Sequence, residues 1–107
     1  GISMRGGKLR GARLRACMLV LSNFGGTDLM DADLRNAVLI GANLAGANLR
    51  RANLAKASVG GIAIRAKDGS ETGRVQKTNF EKANLVAARV PGLDFNECRM
   101  RDAVLDV

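Results

Sequence analysis

Large apolar residues recur at every fifth position through the first part of the chain: Met4, Leu9, Leu14, Leu19, Phe24, Leu29, Leu34, Leu39, Leu44, Leu49, Leu54, Val59 and Ile64. Thirteen successive positions in one register exclude coincidence. Two residues before most of them stands a small residue, as at Ala12, Cys17, Ser22, Thr27, Ala32, Ala37, Ala42, Ala47, Ala52 and Ala57. The position between the two is often Asn or Asp: Asn23, Asp28, Asp33, Asn43, Asn48, Asn53. The pattern resumes with Phe80, Leu85, Val90, Phe95, Met100 and Leu105, preceded by Thr78, Ala83, Ala88, Leu93, Cys98 and Ala103.

A period of five fits neither a helix nor a simple strand. A helix would advance about 500° in five residues, about 140° beyond a full turn, and smear the apolar residues around its circumference. Three extended residues followed by a two-residue corner satisfy the pattern. Positions two apart in an extended segment point to the same side, so the small and the large residue face inward and the Asn or Asp faces out. The corner accounts for Gly6, Gly11, Gly26, Gly41, Gly46 and Gly61, since turns favour residues that accept positive φ.

The repeat A-(N/D)-L-x-x resembles that of the pentapeptide-repeat family. It is cleanest from Ala42-Asn43-Leu44-Ala45-Gly46 to Ala52-Asn53-Leu54-Ala55-Lys56, and it extends over residues 2–66 and 78–107. The resemblance implies an all-β fold, a right-handed quadrilateral β-helix with four repeats per coil, within one solenoid domain spanning 1–107. About five coils stacked at strand spacing would be roughly 24 Å long.

The register breaks after Ile64. The segment Arg65–Lys77 is polar and contains Lys67-Asp68-Gly69-Ser70, a turn signal, so a loop over 65–77 is expected to protrude from one corner. With Val75 as a repeat centre the excess is six residues; without it, eleven. Loops of this kind in quinolone-resistance members help engage a topoisomerase, whereas extra loop length is otherwise thermodynamically cheap.

Composition restricts the chemistry. The chain has 107 residues, three Phe as its only aromatics, and no His, Trp or Tyr. Without His the commonest general base and metal ligand is missing. Cys17 and Cys98 fall at the small inward position, where a thiol replaces Ala sterically, and two cysteines suit a reducing compartment. Gly60-Gly61 lacks the signature of a phosphate loop. No catalytic residue, cofactor, metal or small-molecule substrate is therefore expected, and the chain is read as a non-enzymatic module. It has no apolar run long enough to span a membrane and no signal-peptide core at its start, so cytoplasmic residence is expected, in a bacterium by analogy with where such repeats abound.

Charge and surface patterning supply the candidate sites. The formal net charge is +7, with a basic N-terminal end formed by Arg5, Lys8, Arg10, Arg13 and Arg15. Mimicry of duplex DNA against gyrase, the best-known activity of the family, needs a negative rod. A basic one would be repelled. Stacking at four repeats per coil places Met18, Val20 and Leu21 beside Val38 and Ile40, an apolar patch suited to a partner protein or a second copy in a dimer. The expected function is thus a scaffold for protein–protein interaction or self-association, within a larger protein because no capping element covers the ends. The rival is a regulator of DNA transactions, acting through a topoisomerase or by direct nucleic-acid contact at the basic end.

Overall fold

The computed structural model describes residues 2–105. Its organising feature is a ladder of parallel bridges between residues 20 positions apart: Ser3 with Asn23, Lys8 with Asp28, Arg13 with Asp33, Met18 with Val38, and each of these with the next coil above. Twenty residues per coil are four five-residue repeats, so the chain winds around four faces. Face 1 carries Ser3, Asn23 and Asn43; face 2 Lys8, Asp28 and Asn48; face 3 Arg13, Asp33 and Asn53; face 4 Met18, Val38 and Ser58.

Each repeat closes with a turn in which the amide after the corner donates to the carbonyl of the inward Leu, as from Ala42 to Leu39 at 3.0 Å and from Ala47 to Leu44 at 3.0 Å. The second corner residue takes positive φ, as type II turns require. Glycine fills only some of these places: Ala16, Leu21, Asp31, Asn36, Arg51, Lys56, Lys82, Ala87 and Asp102 hold φ of 58–62°. The outward Asn or Asp explains how such corners are tolerated. Its side-chain oxygen accepts the amide two residues on, at 3.0 Å for Asn43 and Ala45 and 3.1 Å for Asp28 and Met30, which fixes the chain into the turn.

The interior is a stack of like residues. Leu29, Leu34, Leu39, Leu44, Leu49, Leu54, Phe24 and Phe80 are fully buried, with Ala32, Ala37, Ala42, Ala47 and Ala52 between them. Small and large side chains from four sides fill a bore too narrow for more. Phe80 meets Phe95 edge to face, ring centres 5.7 Å apart.

The break in the repeat is larger than the sequence suggests, and ordered. Five short strands are β1 (Gly61–Arg65), β2 (Glu71–Asn79), β3 (Asn84–Leu85), β4 (Cys98–Arg99) and β5 (Val104–Leu105). β1 and β2 pair antiparallel, Ile62 opposite Gln76 and Ile64 opposite Arg74, so the expected loop is a β-hairpin. Asn43 pairs with Asn79, 36 residues on rather than 20, which makes the insertion sixteen residues, neither six nor eleven. Ile64 is not a repeat centre, Gly61 is a strand residue rather than a corner, and Val75 is exposed. The repeats therefore run to Gly60 and resume at Thr78. The apolar size of Ile64 imitated a repeat, but its periodicity belongs to the hairpin, where alternate residues share a face.

Candidate functional site

The hairpin leaves the solenoid at the corner between faces 4 and 1. Thr78 anchors its base. The Thr78 hydroxyl accepts a hydrogen bond from the Gly60 amide at 3.0 Å and donates to the Leu39 carbonyl at 2.7 Å, in a fully buried setting. At a position where most repeats carry Ala, the hydroxyl supplies partners where the ordinary coil-on-coil ladder is interrupted.

Gly41 receives the hairpin wall. A Cβ placed there would lie 2.8 Å from Leu21 and 2.9 Å from Ile62, so these two side chains converge in the space that glycine leaves. The Gln76 side-chain amide donates to the Gly41 carbonyl at 2.8 Å, pinning the other strand to the same corner. At the hairpin tip, Asp68 accepts both the Ser70 amide at 2.8 Å and the Ser70 hydroxyl at 2.6 Å, and the hydroxyl in particular holds its carboxyl below the usual value. Gly69, with φ of 87°, turns the chain there, while Lys67 is exposed.

Between the hairpin and face 1 lies an open groove of about 560 Å³, lined by Ile64, Arg74, Val75, Lys77, Asn43 and Arg99 among others. Three cationic side chains and the apolar Ile64 and Val75 border it, with the amide ladder of face 1 as its floor. Arg99 is held by Glu81 at 2.6 Å and Asn43 donates to Asn23 at 3.2 Å, so this wall is fixed.

The apolar patch expected on face 4 is divided by this arrangement. Met18 is 75% exposed, Leu21 39% and Val75 57%. Val20, Val38 and Ile40 are half-buried, in part because the five-residue geometry seats these side chains against their neighbours above and below. Of the five expected residues only Met18 and Leu21 are exposed large hydrophobics, and Val75 on the hairpin is a third. The hairpin residues could not be found from the repeat. Their one signal was Ile62 and Ile64, two apart on one face of β1, with no matching apolar alternation in β2.

The basic N-terminal residues do not gather into one patch. Arg5 occupies the corner after face 1, Lys8 projects from face 2, Arg10 from the next corner, Arg13 from face 3 and Arg15 from the corner beyond, all exposed. Arg10 is bonded to Asp28 at 3.1 Å. Cys17 and Cys98 are half-buried, and burial pushes the Cys98 thiol up to about 11, partly offset by a hydrogen bond with Thr78. Among the described residues no three of His, Cys, Asp and Glu gather as a metal site would require, and no helix is long and apolar enough to cross a membrane.

Comparison with known proteins agrees with this geometry. The model of pentapeptide repeats matches residues 1–36 and 32–62. No curated protein matches the chain. A pentapeptide repeat protein from the Arabidopsis thaliana thylakoid lumen is similar at 25% identity over 96% of this chain and 57% of its own, with a TM-score of 0.68. A second, from the cyanobacterium Cyanothece 51142, is 30% identical over 97% of this chain and 53% of its own, with a TM-score of 0.36. A plasmid-mediated fluoroquinolone resistance protein is 19% identical over 99% of this chain and 51% of its own, with a TM-score of 0.39. The chain spans little more than half the length of these relatives. The four-faced coil is the right-handed quadrilateral β-helix of such proteins.

Proposed function

Because this chain belongs to the pentapeptide repeat family, whose members are generally non-enzymatic repeat proteins, we propose that it is a scaffold that binds another protein, or a second copy of itself, through the hairpin corner. The exposure of Leu21 and Val75 at that corner, and of Met18 on the adjoining face 4, carries the proposal. Large apolar side chains left in water are what a protein partner covers, and burying each is worth roughly 1.5–3 kcal/mol. The stiffness of the solenoid supports the same reading, since its walls are hydrogen-bonded at every level and little order remains to be lost on association.

The self-associating form is tested by sedimentation velocity over a wide concentration range. A dimer that dissociates on Met18→Asp or Leu21→Asp supports it. A dimer indifferent to both, or a monomer at every concentration, removes it. For a different protein as partner, the same two variants should abolish binding of whatever protein the wild-type chain engages, while Lys82→Asp, at the corner between faces 1 and 2, should not. Equal loss with all three would place the contact elsewhere.

A further inference from the structure

Faces 2 and 3 differ from the hairpin corner in their apolar content. Below the last coil neither face carries an exposed large hydrophobic residue. What they carry is charge, distributed over successive coils rather than confined to the N-terminal end. Arg50 follows Asn48 on the third coil of face 2, Lys56 stands at the corner after Asn53 on face 3, and Arg89 pairs with Asn53 one coil higher.

The acidic residues on these faces do not cancel this charge. Asp28 is bonded to Arg10 at 3.1 Å, Asp31 to Arg51 at 2.9 Å and Asp33 to Arg35 at 2.7 Å. Each of the three carboxylates has its own guanidinium. Among the described residues, Lys8, Arg13, Arg15, Arg50, Lys56 and Arg89 form no ion pair, and all six are exposed. The two adjoining walls and the corners that follow them thus present six cations outside any ion pair, on a backbone hydrogen-bonded from coil to coil.

We infer that faces 2 and 3 bind the phosphodiester backbone of a nucleic acid without reading its sequence. Five of the six, Arg13, Arg15, Arg50, Lys56 and Arg89, lie on face 3 or at its two corners, with Lys8 on face 2, so the charge forms a row about one face wide along the coils. The phosphates of a strand or of one edge of a duplex follow such a row from coil to coil, whereas a bilayer leaves most of its anionic surface unmatched. A protein partner would want apolar anchors at the centre of its contact, and these walls have none. The chain has no Trp or Tyr and its three Phe lie inside or against the core, so bases find no stacking platform. Affinity then comes from phosphate contacts and counterion release alone. This site is independent of the hairpin corner and stands or falls separately.

The test is fluorescence anisotropy of end-labelled single-stranded and duplex oligonucleotides of arbitrary sequence, titrated with the chain at several salt concentrations. Six phosphate contacts give a slope of log K against log salt of about −4 for a single strand and about −5 for a duplex. Affinity should fall by about 300-fold and about 1,000-fold respectively between about 50 and about 200 mM salt. Neutralising Arg50→Gln, Lys56→Gln and Arg89→Gln together should weaken the slope by about two for a single strand and about three for a duplex, and each alone by about one. The matched set Lys67→Gln, Arg74→Gln and Lys77→Gln on the hairpin removes the same charge and should leave the slope nearly unchanged. Absence of binding at about 50 mM salt overturns the inference. So does an equal effect of the two sets, which would mean net charge alone. Tighter association with phosphatidylserine vesicles or polyglutamate than with either oligonucleotide overturns it as well. All six substitutions are at exposed side chains, and unchanged circular dichroism separates loss of binding from loss of fold.

Discussion

Replacing Gly41 by Ala should detach the hairpin from the solenoid while leaving the coils standing. Two costs have to be separated. Gly41 holds φ of 70°, and an L-residue in that region costs about 1–2 kcal/mol, partly offset by about 0.4–1 kcal/mol of lost unfolded-chain freedom. Gly46, at φ of 68°, has nothing nearer than 4.0 Å to a Cβ, so Gly46→Ala carries the first cost alone. At Gly41 the added Cβ also stands 2.8 Å from Leu21 and 2.9 Å from Ile62. Overpacking of this kind costs about 1–3 kcal/mol, and the cheapest relief is for the hairpin to lift. Lifting forfeits the Gln76 bond to the Gly41 carbonyl. Trypsin reads the difference, because Arg65, Lys67, Arg74 and Lys77 all lie on the hairpin. When opening is fast relative to cleavage the rate follows the open population, so about 1–3 kcal/mol predicts cleavage roughly five- to 150-fold faster in Gly41→Ala than in Gly46→Ala. Cleavage sites within 65–77 are mapped by mass spectrometry. Equal rates in the two variants would refute the claim that glycine's empty space seats the hairpin.

Three further outcomes follow from particular contacts. Thr78→Val keeps the shape but leaves the buried Gly60 amide without its acceptor, and should cost about 1–3 kcal/mol in denaturant unfolding; a change under about 0.5 kcal/mol would show that the hydroxyl is dispensable. The Cys98 thiol, pushed up to about 11 by burial, should react with a thiol reagent along a pH profile centred near that value in the folded chain, and a profile centred near the ordinary 9.0 would contradict the half-buried placement. The Arg35 side chain, followed by its backbone amide, holds the Asp33 carboxyl down to about 2 from 3.8. With the folded value depressed, its stabilising contribution is present above the unfolded value and is lost as pH falls from about 4 through about 2. Carboxyl NMR should place Asp33 near 2, and Arg35→Gln should return it toward 3.8, whereas an Asp33 titrating near 3.8 in the unaltered chain would dissolve the ion pair.

The coil was legible from the sequence because each repeat satisfies its own needs locally. The small residue and the Leu two positions later can only share an inward side, and the Asn or Asp between them folds back onto the corner amide, as Asn43 does with Ala45. The same alternation in each repeat makes the stack a sum of nearest-neighbour contacts, so little beyond the repeat is required. The hairpin was not legible in this way. Ile64 fell in the five-residue register by its position and Val75 by its size, yet which residues enter a coil is decided by pairing partners 20 or 36 positions distant.

Charge shows the same division. The chain's surplus of cations was plain, and five of them crowd the first coil. Only the winding shows that Asp28, Asp31 and Asp33 are each consumed by an arginine of the same coil or a neighbouring one, and that Arg50, Lys56 and Arg89 continue the positive walls far from the N-terminus. Local order in this protein is written in residues two and three apart, which short-range sterics and hydrogen bonds enforce. Its candidate surfaces are assembled from residues 20, 36 or more apart, and those meet only once the coils have stacked.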